Sequence, residues 1–146
     1  MKLHLTFCLT GCLMAGIFLN CGGGKKAAGN LLKTNVVVVL SDSLHETARC
    51  DTIALGRLVQ GEVVTGEFML RNAGAGPVVV VSVESSCGCT TVDYPKQPVI
   101  PGKMVPFTFR LDTEGFIGQQ HKQITIRTAP NYRTCRVVLS ADVVQE

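Results

Sequence analysis

The chain reads Val64-Thr65-Gly66-Glu67-Phe68-Met69-Leu70-Arg71 between two turn signals, Gln60-Gly61 and Asn72-Ala73-Gly74. Apolar or small residues occupy the even positions, and mostly longer or polar residues occupy the odd ones. Successive side chains of a β-strand point to opposite faces, so this period of two predicts a half-buried strand. The stretch is the clearest member of a series that sets the fold.

Similar runs recur on both sides of this stretch, with turn signals between them. They cover residues 53–58, 78–83, 105–112, 124–127 and 136–143. Regularly spaced short strands predict an all-β sandwich, and an immunoglobulin-like sandwich uses about seven strands in about 100 residues. Residues 50–146 are therefore predicted to form an immunoglobulin-like β-sandwich of about seven strands. The three phenylalanines on the apolar phase are predicted to lie in the core: Phe68, Phe107 and Phe109.

The residues just before this domain are less regular. Asn35 to Leu40 is a β-branched run that is typical of an extra strand. Residues 41–49 fit either a turn or one helical turn with Ser43 as its cap. Residues 35–49 therefore form an uncertain extra strand or turn. Within the domain, three prolines predict an irregular edge segment over 93–102.

The composition excludes several classes of protein. Fourteen basic and 11 acidic residues give a net charge of +3, and aromatic residues make up 5% of the chain. This balance excludes an intrinsically disordered chain and a strongly basic surface, so we expect no nucleic-acid partner. The sequence also lacks the G-x-S-x-G, H-E-x-x-H and G-x-x-x-x-G-K motifs. We therefore expect a protein that is not an enzyme and has no cofactor of that kind.

The N-terminus has the pattern of an export signal. Met1-Lys2 supplies a positive charge, and residues 3–19 are mostly apolar but interrupted by polar residues. The stretch is shorter than the roughly 18 clean apolar residues of a lasting transmembrane helix. A positive start, an apolar stretch and then small residues predict that residues 1–20 are a signal peptide.

The end of this segment resembles a bacterial lipoprotein signal, in which a cysteine is acylated. Leu9-Thr10-Gly11-Cys12 matches the usual Leu-x-Gly-Cys pattern better, but it leaves about five apolar residues upstream where about 7–15 are usual. Cys21 lies where the apolar stretch ends and a glycine-rich tether begins. We favour Cys21 and keep Cys12 as the alternative. Residues 21–34 are then a lipidated cysteine and flexible linker, and two or more acyl chains anchor a protein stably to a membrane.

A longer series of motifs runs through the domain. It contains Glu67-Phe68-Met69-Leu70-Arg71-Asn72-Ala73-Gly74, Ser86-Cys87-Gly88-Cys89-Thr90, Pro101-Gly102, Phe109-Arg110-Leu111-Asp112-Thr113 and Gly115-Phe116-Ile117-Gly118. Over about residues 52–128 the series resembles the bacterial family called domain of unknown function 1573, and its Ser-Cys-Gly-Cys-Thr core is the most specific part. The resemblance implies an exported protein with a Hydin-type immunoglobulin-like domain, often a lipoprotein, and it implies no activity.

Cys87-Gly88-Cys89 is the motif that most specifically indicates metal binding or redox chemistry. In an extended segment residues i and i+2 point to the same side, so both sulfurs could face one ion or one substrate. Cu(I) favours soft thiolates, which makes the pair a candidate soft-metal site or redox dithiol. Zinc is disfavoured because it needs four ligands and usually a different spacing. The alternative is that both sulfurs are buried, or oxidised, at a sheet corner.

Cys50 and Cys135 are the other two cysteines of the chain after Cys21. If the first strand of the sandwich runs parallel beside the last, both lie at one end, while Cys87 and Cys89 lie at the other. A strand of about six residues spans roughly 20 Å, whereas bonded cysteines need Cα atoms within about 7 Å. The sequence therefore predicts that the one disulfide of the domain, if it has one, joins Cys50 to Cys135.

The loop Gly115-Phe116-Ile117-Gly118 places two apolar side chains between glycines. Phe116 and Ile117 form a candidate partner-binding tip, unless Phe116 folds back onto the core. Anchor, spacer and sandwich together predict a non-catalytic lipoprotein of the bacterial cell envelope, on the periplasmic or outer-membrane side. Its expected partners are the membrane and another envelope protein, with no oligomeric state specified. A soft-metal-binding or thiol-redox lipoprotein is the alternative.

Overall fold

The computed structural model describes residues 31–42, 47–130 and 133–145, without the side chains of residues 47–50. These residues form eight strands: β1 Leu32–Leu40, β2 Thr47–Val59, β3 Val63–Asn72, β4 Val79–Ser85, β5 Thr90–Asp93, β6 Met104–Asp112, β7 Gly118–Ala129 and β8 Arg133–Val144. Nothing in these ranges is a helix of the length and apolarity that a membrane span requires. The predicted all-β sandwich is confirmed.

The strands form two four-stranded sheets. Sheet A has the order β1-β3-β6-β5, and sheet B has the order β2-β8-β7-β4. Neighbouring strands are antiparallel, except that β1 runs parallel to β3 and β2 runs parallel to β8. β1 begins with Leu32 opposite Gly66, and β8 ends with Val144 opposite Val59. The first strand after residue 46 therefore lies parallel beside the last strand, as the sequence argument required.

The strands differ from the sequence pattern at β5 and β7, and each difference has a local cause. The pattern does not reveal β5, because four residues are too few to show a period of two, and pairing with β6 forms this strand. β7 begins at Gly118 rather than at Ile124, because its pairing with β8 continues through a polar stretch. The strand expected from Asn35 to Leu40 is present as part of β1.

The segment after β5 is irregular, as its prolines predict. Residues 94–103 contain no strand, and Val99 forms an isolated bridge with Val78. Tyr94 leads into this segment and stacks on Phe107, with ring centroids 5.6 Å apart. The segment therefore crosses the sandwich edge while its first aromatic side chain remains packed against the core.

The core lies between the two sheets and is built around three aromatic rings. Phe68, Phe107 and Phe109 are each 0% exposed, so their prediction as core residues is confirmed. The Phe68 ring lies 5.3 Å from that of Phe107 and 6.5 Å from that of Phe109. Sheet B covers them with aliphatic side chains such as Ile124, Ile126, Val137 and Leu139.

Gly66 of β3 is required by the ring of Phe109. The two residues are opposite each other in the β3–β6 register. A Cβ at position 66 would lie 2.3 Å from Cζ and 2.7 Å from Cε1 of that ring, far inside van der Waals contact. The absent side chain therefore leaves the space that the tip of the Phe109 ring occupies.

One end of the sandwich is tied together by Asn72. Its side chain is 0% exposed and donates through Nδ2 to the carbonyl oxygens of Gly76 and Val99, both at 2.8 Å. Its Oδ1 accepts from the backbone N–H of Gly74 at 2.9 Å. Close by, Arg133 donates to the backbone oxygens of Ser41 and Asp42, which ties the end of β1 to the start of β8.

Candidate functional site

Cys87, Gly88 and Cys89 lie in the connection that carries the chain from β4 in sheet B to β5 in sheet A. Ser86 fixes the start of this connection to β7, since its N–H donates to the Gln123 oxygen at 2.8 Å and its Oγ accepts from the Gln123 N–H at 2.9 Å. The Cys89 oxygen accepts from the Asp112 N–H at 2.9 Å. Both sheets therefore hold the connection through hydrogen bonds.

The Cys87 and Cys89 sulfurs are joined in a disulfide, with Cα atoms 5.2 Å apart. In this oxidised form the pair has no thiolate, the form of cysteine that binds a metal. Among the residues that the structure describes, no three or more His, Cys, Asp and Glu side chains are grouped so that they could hold a metal ion. The structure therefore contains the oxidised pair, one of the alternatives that the motif leaves open.

Two hydroxyl side chains to which the sequence assigns no chemical role lie beside this disulfide. Thr90 is 4% exposed, and its Oγ1 lies 3.6 Å from the Cys87 sulfur and 3.7 Å from the Cys89 sulfur. The Ser85 hydroxyl is within hydrogen-bond distance of the Cys87 and Thr90 carbonyl oxygens. The only signal in the sequence is that both hydroxyl residues flank the cysteine motif.

The two cysteines are not equally placed. Both are half-buried, but Cys89 packs against the hydrophobic core. Gly88 between them is exposed, and a Cβ built on it would meet nothing within 4 Å. The disulfide therefore faces solvent on the Gly88 side and the protein on the Cys89 side.

His121 lies on the outer face of sheet B and is exposed. It borders a shallow hollow of about 460 Å³ with Gln123, Arg136 and Val138, and neither Cys87 nor Cys89 lines that hollow. Among the described residues, His121 is not part of a group of three or more side chains that could hold a metal ion.

Cys135 lies in β8, is 1% exposed and is disulfide-bonded. The side chain of Cys50 lies outside the described residues, so the Cys50–Cys135 pairing stays a prediction, although the β2–β8 register places Ala48 opposite Cys135. The expectation of a single disulfide is wrong. Cys87 is bonded to Cys89, and Cys135 takes part in a separate disulfide. A bond across only two residues needs a tight turn, which strand spacing does not reveal.

The register explains why the cysteines of β8 and of the β4–β5 connection stay apart. Cys135 lies opposite Ile126, and Ile126 lies opposite Val83. Cys87 is four residues further along than Val83, or roughly 13 Å of strand, and β4 is separated from β8 by β7. This separation exceeds the Cα distance of about 7 Å that a disulfide can span.

The structure of the β6–β7 loop shows whether its two apolar side chains are exposed or fold back onto the core. Phe116 is half-buried and packs against the core, with the Lys122 ammonium 3.8 Å from its ring centroid. Ile117 is 57% exposed. Ile117 is therefore the exposed member of the candidate tip. The candidate lipidation residues Cys21 and Cys12 lie outside the described residues.

A second candidate site is a row of apolar side chains on the outer face of sheet A, here called the apolar strip. It consists of Val37, Val39, Met69, Met104 and Pro106. The register aligns Val37 with Met69 and Met69 with Pro106, whereas the exposed Arg71 lies between Val39 and Met104. Val37, Val39 and Met104 are 39%, 44% and 52% exposed. The strip reaches the edge of the sheet, because β1 is the outer strand of sheet A.

Comparison with known proteins shows what this chain is similar to. A similar solved structure is a protein of unknown function from Porphyromonas gingivalis W83, with 24% identity and a TM-score of 0.55 over 62% of this chain and 43% of that one. The VesB protease and the secreted serine protease VesC, both of Vibrio cholerae, give TM-scores of 0.51 and 0.50 at 15% and 12% identity.

These likenesses concern the fold alone. The matches to VesB and VesC cover 63% and 62% of this chain but only 30% and 21% of the proteases. This chain thus spans less than half the length of each of the three solved structures. No curated protein matches the chain. The family model that matches residues 47–143 is described as "Protein of unknown function (DUF1573)". Because this match covers most of the sequence, the chain belongs to the DUF1573 family.

Proposed function

We propose that this protein is a non-catalytic lipoprotein of the bacterial cell envelope whose β-sandwich binds another envelope protein. The observation that carries the proposal is the apolar strip beside an outer strand. Exposed apolar side chains that cluster on one face, here around Arg71, mark interaction surfaces more often than scattered ones do. Two branched side chains of this patch, Val37 and Val39, belong to the outer strand itself.

The backbone of β1 supports the same proposal. β1 pairs with β3 on one side and is the last strand of sheet A on the other. The outer side of an edge strand presents N–H and C=O groups that can pair with an added strand, a common mode of peptide recognition. A partner strand there would extend sheet A while its side chains contact Val37 and Val39.

The proposed membrane anchor rests on the N-terminal sequence. Residues 3–19 are mostly apolar, Cys21 follows them, and a glycine-rich segment separates Cys21 from β1. A protein acylated at Cys21 would stay on the membrane, because two or more acyl chains give stable anchoring. The flexible linker would allow the sandwich to reach a partner near that surface.

Site-specific photo-crosslinking in the native envelope tests the proposed interaction. A photoreactive amino acid replaces Val39 in the full chain, and the matched control places it at Arg57, whose side chain is 76% exposed on sheet B. We expect Val39 to crosslink to one envelope protein that Arg57 does not reach, and Val39→Asp to abolish the complex. Identical products from both positions, or none from Val39, would contradict a binding role for the apolar strip.

Metabolic labelling with a clickable fatty acid tests the anchor separately. Cys21→Ala is expected to lose the label and leave the membrane fraction, whereas Cys12→Ser is expected to retain both properties. Lipidation that persists in Cys21→Ala would assign the acylated residue to another position, such as Cys12.

A further inference from the structure

We propose that the Cys87–Cys89 disulfide is a reversible thiol–disulfide exchange site that accepts two electrons from a solvent-exposed dithiol of another polypeptide. The proposal does not depend on the function proposed above. It rests on three features of the described residues: the small contribution of this bond to the fold, its open approach on the Gly88 side, and the Thr90 hydroxyl beside both sulfurs.

The bond is poorly placed to stabilise the sandwich. A disulfide restricts the unfolded chain more strongly as the closed loop becomes longer, and this one joins residues separated by only two positions. Hydrogen bonds hold the same connection without it, from Ser86 to Gln123 and from Asp112 to Cys89. The β4–β5 connection should therefore keep its path when the two sulfurs are reduced.

The approach to the bond is open from one direction. Gly88 is exposed, and outside residues 87–89 no atom lies within 4 Å of the position that its Cβ would take. Cys89 packs against the core, while Cys87 is not among the residues packed there. An incoming thiolate therefore reaches Cys87 more readily, and Cys89 becomes the leaving group.

Thr90 is placed to stabilise that leaving group. Its hydroxyl lies 3.7 Å from the Cys89 sulfur and 3.6 Å from the Cys87 sulfur, on a residue that is 4% exposed. A hydroxyl that donates to sulfur favours the thiolate over the thiol, and a more stable leaving thiolate speeds exchange. The same hydroxyl can serve either sulfur once the bond has opened.

The reaction balances without a further reagent. A thiolate of the substrate attacks the Cys87 sulfur, the Cys87–Cys89 bond breaks, a mixed disulfide forms and Cys89 leaves as a thiolate. The second substrate thiol loses its proton to solvent and attacks the substrate sulfur of the mixed disulfide, which releases Cys87. Both cysteines take up protons from solvent. The substrate dithiol is thereby oxidised to a disulfide, and the cysteine pair is reduced to two thiols.

The first test compares the Cys87–Cys89 disulfide with the disulfide of Cys135 in the folded full chain. The protein is treated with excess dithiothreitol, quenched by alkylation and mapped by peptide mass spectrometry. Cys135 serves as an internal control, since it is disulfide-bonded and 1% exposed. We expect Cys87 and Cys89 to be reduced and alkylated on the order of a hundredfold faster than Cys135, because a buried sulfur is attacked only after local opening. Equal rates would overturn the proposal.

The second test asks whether the bond can act on a polypeptide. A reduced Cys-x-x-Cys peptide is incubated with the oxidised protein under argon. We expect one peptide disulfide per protein, and none from the double variant Cys87→Ser/Cys89→Ser. The double variant is expected to remain folded, with an unchanged far-ultraviolet spectrum. If it unfolds, the bond is required for the fold and the proposal fails.

The third test isolates the hydroxyl. Thr90→Val keeps the shape of the side chain but removes the donor, Thr90→Ser keeps the donor, and Thr91→Val is the exposed neighbouring control. Loss of a hydrogen bond to a charged group should slow exchange on the order of tenfold in Thr90→Val, and it should move the alkylation profile of the reduced pair to higher pH. Thr90→Ser and Thr91→Val should behave like the parent. An unchanged pH profile in Thr90→Val would refute the role of Thr90.

Discussion

Replacing Gly66 with alanine tests the packing that sets the spacing of β3 and β6. The added Cβ would lie 2.3 Å from Cζ of Phe109, where ordinary carbon contacts are 3.4–4 Å. The ring is 0% exposed and has the Phe68 ring 6.5 Å away, so it has little room to move aside. The strand or the ring must therefore shift by about 1 Å within a close-packed interior.

The expected cost follows from this geometry. Overpacking a core costs about 1–3 kcal/mol, and a contact with a fully buried ring belongs near the upper end. Alanine also restricts the unfolded chain more than glycine does, which offsets about 0.4–1 kcal/mol. We therefore expect Gly66→Ala to lower the free energy of unfolding by about 2 kcal/mol, which a typical domain with about 5–15 kcal/mol survives.

Urea unfolding followed by circular dichroism measures the effect. With an m-value of about 1–3 kcal/mol/M, the midpoint should fall by about 1 M. Phe109→Leu removes the ring atoms that clash, so the double variant Gly66→Ala/Phe109→Leu should be at least about 1 kcal/mol more stable than the two single effects predict. Gly76→Ala is the control, because a Cβ there meets nothing within 4 Å. A cost below about 0.5 kcal/mol without coupling would refute the packing argument.

Phe107→Ala should cost about 3–5 kcal/mol in the same urea assay, because its ring is fully buried; a cost below about 1 kcal/mol would mean that the core prediction is wrong. Asn72→Ala should cost about 2–4 kcal/mol, because it leaves the carbonyl oxygens of Gly76 and Val99 without their shared donor. Arg127→Ala should change stability by less than about 0.5 kcal/mol, since its ion pair with Glu84 is exposed; a larger loss at low salt would show a stronger pair than the structure implies.

The sequence reveals the strands whose two faces have different surroundings. Phe68 and Phe107 alternate with solvent-facing residues, so hydrophobic periodicity alone identifies their strands and predicts their burial. β5 and the first half of β7 lack that contrast, and their strands form because β6 and β8 supply the pairing. Such pairing depends on contacts that are distant in the sequence, which no local pattern encodes.

The candidate sites show the same division between local and distant information. Cys87 and Cys89 are recognisable as a chemical motif from their spacing alone. The role of Thr90 depends on the turn that brings its hydroxyl to both sulfurs, and residue type does not predict that turn. The apolar strip could not be assembled from sequence either, because Val37 and Met104 are brought to one face only by the β1–β3–β6 register.

The directions of the outer strands determine which end of the sandwich lies nearest the N-terminal segment. β1 runs parallel to β3, β2 runs parallel to β8, and the tight β2–β3 turn places the start of β1 and the end of β8 at the same end of the molecule. If the linker before Leu32 is anchored to a membrane, that end of the sandwich would lie nearer the membrane surface. The opposite end, organised by Asn72 and Arg133, would then face outward. A reporter fused after Val144 would report on the inner side, whereas an insertion at Gly76 would project into the space beyond.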